Sequence, residues 1–274
     1  MRRYRDITIL GKCNLNCLYC EHPEFDVDEE KTIRSFRRVV NSFDKDTTCL
    51  RVEARGEITL YQKIMDEVKQ YTMDGYRLEI LSNGLLLDKI LDGFDKLKCV
   101  VSLDGHTVAM NEMRQLSPKN VDIILYNIFK YSADIQMVYL KQDIYEINEF
   151  IMYLEEHHFQ GLLHIFPCSI GNKIVSPYLD YSKLKKASFL PPAEYFRRWE
   201  YIAKNGRRNF RCDFHSNGYI YYICNSTIKM LKCDGNSNML THLHRYGEEK
   251  DIEYDCLNCI NNNELNNSRK FVRE

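Results

Sequence analysis

Six short apolar runs, each separated from the next by a longer stretch, constrain this chain more than any other feature. The runs are residues 6–10, 50–54, 77–81, 100–103, 135–140 and 162–166. Amphipathic helical spacing lies between them. Ile33, Phe36 and Val40 share one face, as do Leu60, Ile64, Val68 and Tyr71, and as do Ile147, Ile151 and Leu154. A strand followed by a helix, repeated, predicts a parallel sheet with right-handed crossovers. Six units fall short of the eight that close a full barrel. The expected fold is therefore α/β, a partial (β/α)6 TIM-like barrel, open like three-quarters of a ring.

The texture changes after Ala203. Pro191-Pro192 opens a last helix, expected over residues 193–204, and Asn205-Gly206 breaks it. Residues 210–214, a Ser216-Asn217-Gly218 turn and residues 219–223 then carry the pattern of a β-hairpin. The remaining tail is rich in Asn and Cys and lacks apolar periodicity, so it needs a metal or another staple to order it. The expected division is a barrel over residues 1–206 and a small C-terminal unit over 207–274.

The 274 residues carry 38 Lys and Arg against 39 Asp and Glu, a net charge of −1. That balance argues against the broad basic surface of a nucleic-acid binder. A local basic stretch runs from Lys183 through Lys185, Lys186, Arg197, Arg198, Lys204, Arg207 and Arg208 to Arg211. It reads either as a solvated face or as a dock for an acidic substrate. No apolar run approaches the roughly 18 residues needed to span a bilayer, and no apolar signal segment opens the chain. A soluble cytoplasmic protein without a membrane partner is expected.

Eleven cysteines are many for such a chain. In a reducing compartment, clustered cysteines point to metal or redox chemistry rather than to disulfides. The first cluster, Gly11-Lys12-Cys13-Asn14-Leu15-Asn16-Cys17-Leu18-Tyr19-Cys20, directly follows the first strand. Its three thiolates can wrap one face of a compact cluster from a single loop. A [4Fe–4S] cube takes four thiolates; three leave one iron open, and an open metal position marks a catalytic site. Tetrahedral zinc is the alternative, with His22 as fourth ligand. Cys49 and Cys99 have no ligand spacing and read as buried small hydrophobes.

With these residues in place, the chain resembles the radical S-adenosylmethionine (SAM) superfamily over nearly its whole length. The resemblance implies that Cys13, Cys17 and Cys20 hold a [4Fe–4S] cluster whose open iron chelates SAM, and that reductive cleavage yields a 5′-deoxyadenosyl radical. It implies an electron donor such as flavodoxin or ferredoxin. Tyr19 occupies the aromatic position that contacts the adenine. Ala54-Arg55-Gly56-Glu57 resembles the Gly-Gly-Glu motif that binds the SAM amine, with Arg55 at the first glycine and Ile58 where proline is usual. Ser82 and Asn83, in Ser82-Asn83-Gly84, stand where relatives meet the ribose. Ser102-Leu103-Asp104-Gly105 resembles a signature of the peptide-modifying branch, in which a following arginine, here Arg114, pairs with the SAM carboxylate. The branch's His-Asp pair is replaced by Met110-Asn111.

Cys212, Cys224, Cys256 and Cys259 combine a hairpin pair with a Cys-x-x-Cys pair and suit a closed four-ligand site, iron–sulfur or zinc. The tail resembles the shortened twitch form of the SPASM domain, which implies a second, auxiliary [4Fe–4S] cluster. Cys233 is spare, as a replacement ligand or a free thiol. Cys168 follows the sixth strand, where barrel residues face the active site. It reads as an inert packed cysteine or, by resemblance to radical SAM epimerases, as the thiol that returns a hydrogen atom to the substrate. The Ser-Leu-Asp-Gly resemblance and the basic stretch favour a peptide substrate. Compactness favours a small molecule, an aminocyclitol or sugar that is oxidised or epimerised.

Overall fold

The computed structural model describes residues 3–20, 24–170, 173–193, 195–197, 200 and 219–232. Within them the expected alternation forms as β1 (Arg3–Leu10), α1 (Glu29–Val40), β2 (Thr48–Arg55), α2 (Gln62–Met73), β3 (Arg77–Ser82), α3 (Leu87–Leu91), β4 (Lys98–Ser102), α4 (Pro118–Lys130), β5 (Asp134–Tyr139), α5 (Ile144–Glu156) and β6 (Leu163–Pro167). Two-residue strands β7 (Ser169–Ile170) and β8 (Lys173–Ile174) pair beyond β6, and β9 (Tyr219–Cys224) and β10 (Thr227–Lys232) form a later hairpin.

The strands β1 to β6 lie side by side in sequence order, all parallel. An unreversed order with right-handed crossovers sends every helix to the same face, which curls a sheet towards a barrel rather than a doubly wound layer. Burial agrees. Alternate strand residues such as Ile7, Val52, Ile80, Val101, Ile135 and Ile165 are sealed in one hydrophobic core with Phe36, Ile64, Val68, Ile124, Phe150 and Ile151 of the helices. Each contributes about 1.5–3 kcal/mol of burial. The intervening strand residues face the opposite way.

That opposite face is polar. Near the N-terminal ends of the strands, Asp6 stands beside Arg51, Arg51 beside Glu79, and Glu79 beside Lys98. Arg51 Nε donates to Glu79 at 3.0 Å, and Lys98 Nζ lies 2.8 Å from Asp134. Buried His164 on β6 completes the row. Burial, partly countered by Asp134, pushes its pKa down to about 4. Local signals fix the helix starts: Asp28 caps α1, Ser117 precedes Pro118 at the first turn of α4, and Asp143 with Glu146 forms a capping box on α5.

Three expectations change. The sheet has eight strands rather than six, because β9 adds to β1 in parallel and β10 follows antiparallel. Both edges of β9 are thereby taken, so its hairpin partner is β10 through a turn at Asn225 (φ 53°), a conformation asparagine tolerates. Residues 210–214, expected as that partner, lie outside the described residues. Leu60 does not join the α2 face: it sits in a 3-10 turn, Ile58–Leu60, that precedes the helix, and is 38% exposed. Most of the helix expected over 193–204 lies outside the described residues, although Tyr195 is buried with its hydroxyl on the Ile165 carbonyl at 3.2 Å.

Candidate active site

The C-terminal edge of the sheet gathers the motif residues. The ladder between β1 and β2 runs on past the strands, with Gly11 N donating to Arg55 O at 3.1 Å and Glu57 N to Lys12 O at 2.8 Å. Lys12 N donates to the Tyr61 hydroxyl at 2.5 Å. This close approach explains Gly56. It adopts φ +134°, and a Cβ there would lie 2.2 Å from the Lys12 carbonyl oxygen. Gly56 and Glu57 thus brace the start of the cysteine loop, while Arg55 is half-buried.

Glu57 is 2% exposed and satisfied on both oxygens. Oε1 accepts from Thr59 N (3.0 Å), Thr59 Oγ1 (2.6 Å) and Ser82 Oγ (2.8 Å), and Oε2 accepts from Asn83 N (2.6 Å). Burial raises its pKa despite these donors. The Asn83 amide then donates to Asn14 in the cysteine loop at 2.7 Å. Ser82 and Asn83, expected at the ribose, therefore hold the ends of β2, β3 and the loop together in this arrangement.

The loop presents Cys13 and Cys17 half-buried and Cys20 exposed. Burial raises the pKa of all three thiols, to about 11 for Cys17. Cys17 also feels the charges of Cys20 and Cys13, and Cys20 that of Cys13, so the three share one locale. Among the described residues no three ligating side chains converge on a single ion. Three thiols from one loop are the donor set of a cube with one open corner. His22 lies outside the described residues.

Asp104, just past β4, is the hub of the opposite wall. Its side chain is 1% exposed. Oδ1 accepts from Arg114 Nη2 and Val138 N, both at 2.9 Å, and Oδ2 from the Tyr19 hydroxyl at 2.9 Å. Arg114 Nε stands 2.8 Å from Oδ2, and the guanidinium lies over the Tyr19 ring, 5.4 Å from its centroid. Burial disfavours the Arg114 charge, but Asp104 outweighs it and raises the pKa. Burial, with Asp104 and Cys17 adding, keeps Tyr19 protonated. The backbone of the 112–114 turn holds the loop as well: Leu18 N donates to Met113 O at 2.8 Å.

The sequence gives no sign of Asn14 or Tyr61. Fully buried Asn111, in the pair that replaces His-Asp, accepts from Asp104 N at 3.0 Å and donates to the carbonyls of Gly105 and Thr107, each at 2.8 Å. Its position three residues before Arg114 is the one available clue.

Cys168 follows β6 directly and is 3% exposed. Its backbone N–H is held by Tyr139 O (3.0 Å) and Ser176 Oγ (2.5 Å), which fixes the residue in place. Burial, with the nearby charge of Asp104, raises its pKa and keeps the thiol protonated. Ser102 is half-buried at the end of β4. Cys99 is sealed, with its pKa pushed up to about 12 by burial, but Cys49 is only half-buried. Cys224 is half-buried at the end of β9, beside the strand that feeds the cysteine loop. Cys212, Cys233, Cys256 and Cys259 lie outside the described residues. In the basic stretch, Lys183 and Lys185 are met by Asp180 and Glu155, as on a solvated face.

No family model matches the chain. Among curated proteins it is 41% identical to the neomycin C epimerase of Streptomyces fradiae over 275 residues, all of this chain and 92% of that one. It is 28% identical over 137 residues to a UPF0026 protein of Helicobacter pylori, 44% of each chain. Among solved structures it resembles Streptococcus suis SuiB, with a TM-score of 0.57 and 15% identity, over 90% of this chain and 63% of that one. The same protein with S-adenosylmethionine bound gives a TM-score of 0.53. No helix among the described residues is long and apolar enough to cross a membrane.

Proposed function

Because this chain belongs to the radical SAM superfamily, in the family of the neomycin C epimerase, we propose that it inverts a carbon centre of an aminoglycoside-type small molecule. The observation that carries this is 41% identity along the entire chain. It reverses the sequence preference for a peptide, which rested on Ser102-Leu103-Asp104-Gly105 and on the basic stretch. The former is occupied in holding Arg114 and Tyr19, and Lys183 and Lys185 of the latter carry their own acidic partners.

Membership implies a [4Fe–4S] cluster and SAM, and Cys13, Cys17 and Cys20 would hold the cluster. When bound, the pair supplies a 5′-deoxyadenosyl radical that can take a hydrogen atom from a substrate carbon. Gly56 keeps the backbone after β2 close enough to serve the SAM amine, and Arg114 offers a guanidinium edge to its carboxylate. Cys168 is the described cysteine best placed to finish the reaction. Its S–H bond breaks as a C–H bond forms on the opposite face of the substrate radical. The resulting thiyl returns to a thiol by taking one electron and one proton, the electron coming from a carrier such as flavodoxin or ferredoxin. The second cluster, on Cys212, Cys224, Cys256 and Cys259 within 207–274, would relay it. Cys224, beside β1, supports such a position. Iron for two cubes per chain fits that reading, and zinc with iron for one opposes it.

The test is reaction of the reconstituted, reduced chain with SAM and neomycin C in deuterated water. An epimer carrying one solvent deuterium is expected. Cys168→Ala should still form 5′-deoxyadenosine and yield no epimer. Epimerisation that survives in Cys168→Ala and fails in Cys233→Ala would move the donor to Cys233. Recovery of only oxidised or unchanged aminoglycoside from the wild type would refute the epimerase reading.

A further inference from the structure

Asp104 is committed to protein groups on both oxygens. Three hydrogen bonds and the Arg114 Nε contact fill its two oxygens, and its side chain is 1% exposed. Its three partner residues, Arg114, Val138 and Tyr19, come from three places: the 112–114 turn, the β5 backbone and the cysteine loop. We propose that Asp104 is a positioning residue of the cofactor site, reaching no cofactor itself, that presets the cysteine loop through Tyr19 and the aim of the guanidinium through Arg114.

The geometry requires an acceptor at both oxygens of Asp104. Three hydrogen bonds spread over both oxygens suit an acceptor-only group, while an asparagine would turn an NH2 against at least one of the donors. The link to the cluster loop is short. Tyr19 lies between Cys17 and Cys20, and the same loop docks on the arginine turn through Leu18 N to Met113 O and Cys17 Sγ to Arg114 O at 3.9 Å. Asn111 holds the other side by accepting from the Asp104 backbone N–H. Arg114 meets Asp104 through Nε and Nη2, which leaves Nη1 for an incoming carboxylate. The loop and the arginine are thus oriented by one buried anion.

The inference rests on the reading that Cys13, Cys17 and Cys20 hold the cluster, and its test reads the cluster rather than turnover. Full-length wild type, Tyr19→Phe, Asp104→Asn and the double variant are reconstituted anaerobically. Iron loss to a chelator is followed without SAM, and SAM is then titrated against the electron paramagnetic resonance spectrum of the reduced cluster. Tyr19→Phe keeps the ring and deletes only the hydroxyl. It should lose iron about fivefold faster and need about fivefold more SAM for half-saturation, the equilibrium equivalent of one hydrogen bond, with a melting temperature lowered by no more than about 4 °C. The double variant should lose iron no faster than Asp104→Asn. Wild-type iron loss and SAM response in Tyr19→Phe would overturn the proposal, even if Asp104→Asn fails to fold, and so would multiplying effects in the double variant. A wild-type chain that takes up no iron overturns the underlying reading and the proposal with it.

Discussion

The two ends of the sheet handle buried charge in opposite ways. At the N-terminal end, Asp6, Arg51, Glu79, Lys98 and Asp134 alternate in sign across neighbouring strands and neutralise one another. At the C-terminal end, Glu57 is held by backbone N–H groups and hydroxyls, with no cation, and Asp104 by a mixture of N–H, hydroxyl and guanidinium. An ion-pair row closes a floor and needs nothing further. Glu57, fixed by neutral donors, commits no cation, while Asp104 shares its one cation, Arg114, with a backbone N–H and a hydroxyl. The difference sets the motif-bearing end of the sheet apart from the floor by its electrostatics as well as by its sequence.

Breaking the floor should cost stability. Arg51→Ala leaves Glu79 and Asp6 without their shared counter-charge in a buried row and should destabilise the chain by about 3–5 kcal/mol, measured by urea unfolding. A loss under about 1 kcal/mol would mean that water reaches the row.

The floor should also be acid-sensitive. His164 has a folded pKa of about 4, below the ordinary value of 6.5, so the unfolded chain binds the extra proton between those two values. Stability from this group is complete above pH 6.5 and is lost as pH falls towards 4, by roughly 3 kcal/mol in all. His164→Gln should flatten that part of the stability profile. An equally steep profile in the variant would assign the acid loss to carboxylates instead.

At the other end the effect should fall on ligand affinity. Arg114→Ala should weaken SAM binding about tenfold or more, as loss of a charge-assisted contact worth roughly 1.5–3 kcal/mol requires. Isothermal titration gives the number. An unchanged affinity would leave Arg114 as a partner of Asp104 alone.

Much of this contrast is legible in the sequence. Short apolar runs separated by period-3.6 stretches place all six parallel strands, and the motif residues fall at strand exits because the chain must turn there. What the sequence hides is pairing across distance. Nothing local says that Tyr219–Cys224 will lie beside β1, since an edge strand chooses its neighbour by tertiary fit. Asn14 and Asn83 are 69 residues apart, and Asp104 and Tyr19 are 85 apart. A motif names Asp104 as important, but only the fold shows that its partners are protein groups. The second cysteine set depends on residues 212, 256 and 259, where composition speaks and periodicity does not.

The most direct test of the chemistry assigned to the C-terminal end is formation of 5′-deoxyadenosine from SAM by anaerobically reconstituted, dithionite-reduced protein. The wild type should produce it, and the chain with Cys13, Cys17 and Cys20 all replaced by Ala should produce none, while losing about four irons, one cube, per chain. Undiminished SAM cleavage in that triple variant would contradict the assignment.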